Sequence, residues 1–135
     1  MKFTCDTSVL IPTIASWHTA HEHCVEVVTT RDVSAIPAHV LLETYSVLTR
    51  LPRESRVGAE IVSAALDALP WRAIGLPAEE HLVLIRRLSA DGLSGGAVYD
   101  GLVASTAAHH GLTLLTRDTR ARRVYDMLGC VYEMV

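Results

Sequence analysis

The sequence predicts an α/β fold of three layers, α/β/α, with a central, mainly parallel sheet flanked by helices. Three observations lead there. Short apolar runs alternate with longer segments of helical spacing along the whole chain, the pattern of successive βα units. Two of those runs, Lys2-Phe3-Thr4-Cys5 and Leu112-Thr113-Leu114-Leu115-Thr116, each hand an aspartate, Asp6 and Asp118, to the segment that follows. Gly111 and Gly129 stand just past helical segments, where a left-handed C′ residue belongs.

The elements follow in order. After the first strand, Thr7 to Ala15 is a compact apolar run, read as a short helix disturbed by Pro12. Thr19-Ala20-His21-Glu22 has the form of a capping box and predicts a helix through about Thr30. Val33 to Ile36 is a short strand, and Pro37 opens a helix from Ala38 to about Leu51 with Leu41, Tyr45 and Leu48 at helical spacing. Pro52 ends it. Ser55 is a candidate cap for a helix from Arg56 to about Ala68, and Pro70 to Ile74 reads as a strand. Pro77-Ala78-Glu79-Glu80 starts a helix that runs to about Ala90, its acids suited to the N-terminal dipole. Residues 91–96 form a loop, and Ala97 to His110 a helix. The strand at 112–116 leads to a helix from Thr119 to about Leu128 and a last strand from Cys130 to Met134. Crossovers are expected to be right-handed.

Length and composition bound the answer. The 135 residues, half of them apolar, suit one domain over 1–135 with its own core. No apolar run reaches the ~18 residues that span a membrane, and the chain enters a strand pattern straight from Met1 with no signal-peptide pattern. Cys5, Cys24 and Cys130 are odd in number and form no C-x-x-C pair, which fits a reduced, cytoplasmic protein. The net charge of -3 counts against a nucleic-acid binder that relies on its own basic residues. That objection weakens where clustered carboxylates hold divalent cations, because the ions supply the positive charge. Among twelve basic residues only Lys2 is lysine; the arginines reflect either genome composition or phosphate recognition by guanidinium forks.

Four carboxylates stand apart from the rest. Asp6 and Asp118 end strands, and ligands of open α/β sheets bind outside the carboxyl ends of strands. Each, taken alone, is equally a helix N-cap. Glu43 is the only charge in Val40-Leu41-Leu42-Glu43-Thr44-Tyr45-Ser46-Val47-Leu48. It is either an acid held in apolar surroundings by a partner or cation, or an exposed position of an amphipathic helix. Asp100 is the only charge in Ala97-Val98-Tyr99-Asp100-Gly101-Leu102-Val103-Ala104, near a helix start, where an acid also complements the dipole. Together the four are more specific than any one. Assembled carboxylates repel and raise each other's pKa unless cations join them, and oxygen-only ligands suit Mg²⁺ or Mn²⁺. With no phosphate-cradling glycine loop, the chemistry that fits is metal-assisted phosphodiester hydrolysis.

These motifs carry a resemblance. Asp6-Thr7-Ser8, Glu43 with Ser46-Val47-Leu48-Thr49-Arg50-Leu51-Pro52, Tyr99-Asp100 followed by Ala104, and Leu115-Thr116-Arg117-Asp118 resemble, in order and spacing, the PIN-domain ribonucleases. Within them the chain is most similar to the VapC toxins of bacterial toxin–antitoxin pairs. The resemblance implies a PIN-like fold and an endoribonuclease that cuts RNA with Mg²⁺, or Mn²⁺, to inhibit translation and growth. It implies Asp6, Glu43, Asp100 and Asp118 as catalytic and metal-binding carboxylates, with Ser8 and Thr116 as supporting hydroxyls. It also implies a homodimer and a cognate VapB-type antitoxin, and makes Arg50 and Arg117 candidate contacts to RNA or to an antitoxin acid. The alternative is a degenerate PIN fold that binds RNA or a protein without cutting.

Other features are weaker. His18, His21 and Cys24 lack the second ligand pair that a zinc site needs. Ser8 stands where an aspartate-nucleophile phosphatase has its second Asp, and no lysine other than Lys2 exists to close a receiver-type pocket. Arg120, Arg122 and Arg123 form either a phosphate-binding patch or a solvated helix face.

Overall fold

A computed structural model describes Lys2–Val135; Met1, from which direct entry into the first strand is expected, lies outside the described residues. In chain order the elements are β1 (Phe3–Cys5), α1 (Thr7–Ile14), α2 (His21–Thr30), β2 (Ala35–Pro37), α3 (Ala38–Thr49), α4 (Ala59–Asp67), β3 (Arg72–Ile74), α5 (Glu80–Ala90), α6 (Ala97–His109), β4 (Thr113–Thr116), α7 (Arg122–Met127) and β5 (Tyr132–Met134).

Every strand ladder is parallel. β4 lies between β1 and β5, and β2 pairs with β3. The two sets adjoin where β1 meets β2, through the Thr4 hydroxyl, which donates to the Ala35 carbonyl at 2.8 Å. Parallel strands are buried on both faces and read as continuous apolar runs; Leu114 and Leu115 are accordingly 0% exposed. Helices α1 to α4 pack as one group and α5 to α7 as another, giving the expected α/β/α layering. Helices α3 and α6 meet across the groups, and that seam bears on the site.

Several boundaries differ from the sequence expectation, each for a local reason. Helix α2 starts at His21 with Ala20, not Thr19, at its N-cap and no side-chain cap; the Thr19 backbone is drawn into a turn in which Ala20 N donates to His18 Nδ1 at 3.0 Å. Strand β2 starts two residues late because Val33 N remains bonded to the Val28 carbonyl, closing α2 with Asp32 at φ 53°. Helix α4 begins at Ala59, not Arg56, because Val57 N is tied to the Leu48 carbonyl at the end of α3. Helix α7 begins at Arg122, not Thr119, since 118–121 form a turn. In α6, Gly101 allows close packing: a Cβ there would meet Leu88 Cδ2 at 3.0 Å and Leu128 Cδ1 at 3.3 Å.

Candidate active site

The parallel register pairs Cys5 with Leu115, which sets Asp6 beside Thr116 at the carboxyl ends of adjacent strands. Asp6 is 6% exposed. Burying a carboxylate costs several kcal/mol unless donors replace water, and four do. Ser8 N and Ser8 Oγ donate to Oδ1 at 3.0 and 2.5 Å. Thr116 Oγ1 and the Tyr125 hydroxyl donate to Oδ2 at 2.5 and 2.8 Å. Asp6 is thus the N-cap of α1, as its position before a helix suggests, and more than a cap. Burial pushes its carboxyl above the ordinary aspartate range, and the Ser8, Thr116 and Tyr125 bonds pull it partway back. Burial and the Asp6 charge drive the Tyr125 phenol the other way from ionisation, so it stays a neutral donor.

The donors are themselves held. Arg117 N donates to Ser8 Oγ at 2.8 Å, and Asp118 N donates to Thr116 Oγ1 at 3.1 Å. Ser8 and Thr116 join the ends of β1 and β4 through the Asp6 carboxylate. Asp118 caps the turn that leads into α7, accepting from Arg120 N at 2.9 Å and Ala121 N at 3.3 Å on Oδ1.

Asp6, Glu43, Asp100 and Asp118 line one cavity of about 30 Å³ together with Thr7, Ser8, Val103 and Tyr125. The four carboxylates come from the end of β1, the middle of α3, the first turn of α6 and the end of β4. Their proximity registers electrostatically. Burial, then the charges of Asp118, Glu43 and Asp6, push Asp100 up to about 6, against a smaller pull from Arg120. Glu43 is less enclosed. Its side chain is 39% exposed and lies 3.3 Å from His39 Nε2, one turn back on α3. The His39 ring in turn stacks on Tyr99, centroids 5.0 Å apart and 3° from parallel.

The donor set fits a hard divalent cation: oxygen ligands only, and a volume that holds an ion with little more than its water. Thr7 adds a second indication, a buried hydroxyl without a hydrogen-bond partner among the described residues, on the wall of the same cavity. The carboxylates line the cavity rather than clasp a point; no three His, Cys, Asp or Glu side chains among the described residues are drawn together closely enough to hold an ion by themselves. A cation would be held by Asp6, Asp100, Glu43 and Asp118 with inward adjustment or bridging water.

The arginines separate. Arg50 lines an open groove with His39, Leu42, Glu43, Ser46, Gly96, Tyr99 and Asp100. Arg117 is exposed, and it is its backbone N–H that enters the site. Arg120 and Arg123, left open between two readings in the sequence, line a second groove that shares Asp100 and Asp118. Sequence reasoning missed Tyr125 and His39. His39 had a signal, the i, i+4 spacing to Glu43. Tyr125 had none, since nothing local says where its phenol points. The histidine–cysteine stretch does not converge: the His21 ring contacts the Pro12 carbonyl at 2.8 Å, His18 is taken up with Ala20, and Cys24 is buried.

The PIN domain family model matches residues 3–127. The chain belongs to the PIN domain family. This PIN domain is 43% identical over 131 residues to Ribonuclease VapC40 of Mycobacterium tuberculosis, covering 96% of each chain. It is 42% identical over 124 residues to Ribonuclease VapC27 of the same species, covering 92% of this chain and 90% of that one. Among solved structures it is similar to M. tuberculosis VapC20, a sarcin-ricin loop cleaving toxin, with a TM-score of 0.71 at 17% identity over 90% of this chain and 94% of that one. It is also similar to VapBC2 from Rickettsia felis bound to a promoter DNA fragment, with a TM-score of 0.69 at 21% identity over 100% and 99% of the two chains. At those identities the solved structures speak to the fold. None of the described helices is long and apolar enough to cross a membrane.

Proposed function

We propose that the chain, acting as one domain, is an endoribonuclease of the VapC type, the toxin of a toxin–antitoxin pair, and that its RNA hydrolysis depends on Mg²⁺ or Mn²⁺. The observation that carries the reading is the convergence of Asp6, Glu43, Asp100 and Asp118 from four separate elements on one small cavity, in a PIN domain 43% identical to a ribonuclease.

A bound divalent cation acidifies water and offsets charge on the phosphate. The chain's own residues do the rest. Ser8 and Thr116, each anchored by a backbone N–H, hold Asp6 in one orientation, which limits the reorganisation of that wall during reaction. Asp100 and Glu43 face the opening between α3 and α6 and meet ion and substrate together. Arg50 on one groove and Arg120 and Arg123 on the other give guanidinium forks for the RNA backbone on either side of the acids. The homodimer and VapB-type antitoxin belong to the same reading. Leu42, Tyr45 and Tyr99, exposed on α3 and α6, are apolar surface for such a contact.

The test is cleavage of total cellular RNA by antitoxin-free protein with MgCl₂ or MnCl₂, and its loss in EDTA. Cleavage that persists in EDTA removes the metal from the proposal. No cleavage with either ion, together with retained RNA binding, favours the non-cutting module.

A further inference from the structure

Asp6 has no vacant acceptor site. A carboxylate offers about four lone-pair positions, and Ser8 N, Ser8 Oγ, Thr116 Oγ1 and the Tyr125 hydroxyl occupy them. Direct coordination of a cation by Asp6 therefore requires a protein donor to leave. The four donors differ in their freedom to do so. Ser8 N belongs to the backbone at the start of α1. Ser8 Oγ is anchored by Arg117 N and Thr116 Oγ1 by Asp118 N. The Tyr125 hydroxyl has Asp6 as its only hydrogen-bond partner among the described residues, and its side chain forms part of the cavity wall.

We propose that the Tyr125 hydroxyl is a placeholder for the cation: it satisfies Asp6 Oδ2 in the metal-free protein and withdraws when an ion coordinates that oxygen. Tyr125 is then a positioning residue that acts through Asp6 and competes with the metal. A fixed brace would behave in the opposite way, because removing it would loosen Asp6 and weaken metal binding. The inference rests on the metal-dependent reading of the site.

The experiment titrates the full-length, metal-free protein with MnCl₂ in a calorimeter, comparing wild type with Tyr125→Phe, which keeps the buried ring and removes only the O–H. The placeholder predicts binding about three- to ten-fold tighter in the variant, because a charge-assisted hydrogen bond no longer has to be broken. It also predicts a lower metal-free Tm and a larger rise in Tm at saturating Mn²⁺. In a Tyr99→Phe background, which removes the tyrosine stacked on His39, Mn²⁺ should produce a near-ultraviolet tyrosine difference spectrum that Tyr125→Phe abolishes. Unchanged or weaker Mn²⁺ affinity in Tyr125→Phe overturns the placeholder and leaves the metal reading intact. The Tyr99→Phe protein decides alone if the Tyr125 variant does not fold: no tyrosine signal on Mn²⁺ binding overturns the proposal. Failure of the wild type to bind Mn²⁺ overturns the metal reading, and the placeholder with it.

Discussion

Asp6 is 6% exposed and accepts four hydrogen bonds, whereas Glu43, on the wall of the same cavity, has a side chain 39% exposed and, among the described residues, a single partner, His39. One corner is assembled by folding. The strand ends and α7 must be in place for Asp6 to be buried at all, and once buried it is held by donors from α1, β4 and α7. The other corner opens on the groove between α3 and α6, where a carboxylate can change partners at little cost. The contrast teaches how a cluster of like charges survives in a folded protein. Repulsion is tolerated at one end by saturating the carboxylate with donors and at the other by leaving it in water. Asp100 lies between the two, and it is the acid most strongly raised by its neighbours' charges.

The largest expected effects separate the corners by two readouts. Asp100→Asn should lower RNA cleavage by at least about a hundred-fold while leaving the metal-free fold as stable or about 1 kcal/mol more stable, since a raised carboxyl is replaced by a neutral group. Asp6→Asn should lose cleavage to a similar extent and also about 1–3 kcal/mol of stability, because its amide must turn an N–H₂ toward two protein donors. Initial rates and denaturant unfolding in EDTA check both; equal stability changes would break the comparison. Thr116→Val should come next. It removes a donor to Asp6 and the acceptor of Asp118 N, at about 1–3 kcal/mol by unfolding.

The pH dependence is smaller. Asp100 is raised to about 6 in the folded protein, against ~3.9 unfolded. Between those values the folded state binds the more protons, so metal-free stability falls as pH rises from about 4 to 6. Lowering the pH from 7 to 5 in EDTA should therefore stabilise the protein by on the order of 1 kcal/mol, after allowance for the part exposure of Asp100. The trend should be smaller in Asp100→Asn, where only the raised Asp6 carboxyl still contributes to it, and thermal melts across that range check it. The smallest expected effect is on the stability of Glu43→Gln, within about 0.5 kcal/mol because its contact with His39 is partly solvated. Its cleavage should still fall sharply if Glu43 meets the ion. A stability loss as large as that of Asp6→Asn would show that the open corner is structural after all.

Much of this was legible in the chain. Asp6 and Asp118 followed from strand-to-helix hand-offs, and Glu43 and Asp100 from single charges in apolar helices. The parallel α/β layering followed from alternating βα signals, because period and capping are written among near neighbours. Boundaries slipped where a distant or irregular hydrogen bond intervened, as when the Leu48 carbonyl delays α4 to Ala59. Strand order, and with it the company each acid keeps, is not a local property. Thr116 and Tyr125 reach Asp6 across 110 and 119 residues of chain, and only the placement of β4 beside β1 and of α7 behind it brings them there. By itself the sequence determined which carboxylates stand at element ends and on apolar helices. The tertiary structure alone decided that they share a cavity, that one is saturated and another open, and that a phenol with no local signal occupies the last acceptor position of Asp6. A hydrogen bond between residues so far apart in the chain exists only once the packing that joins them has formed.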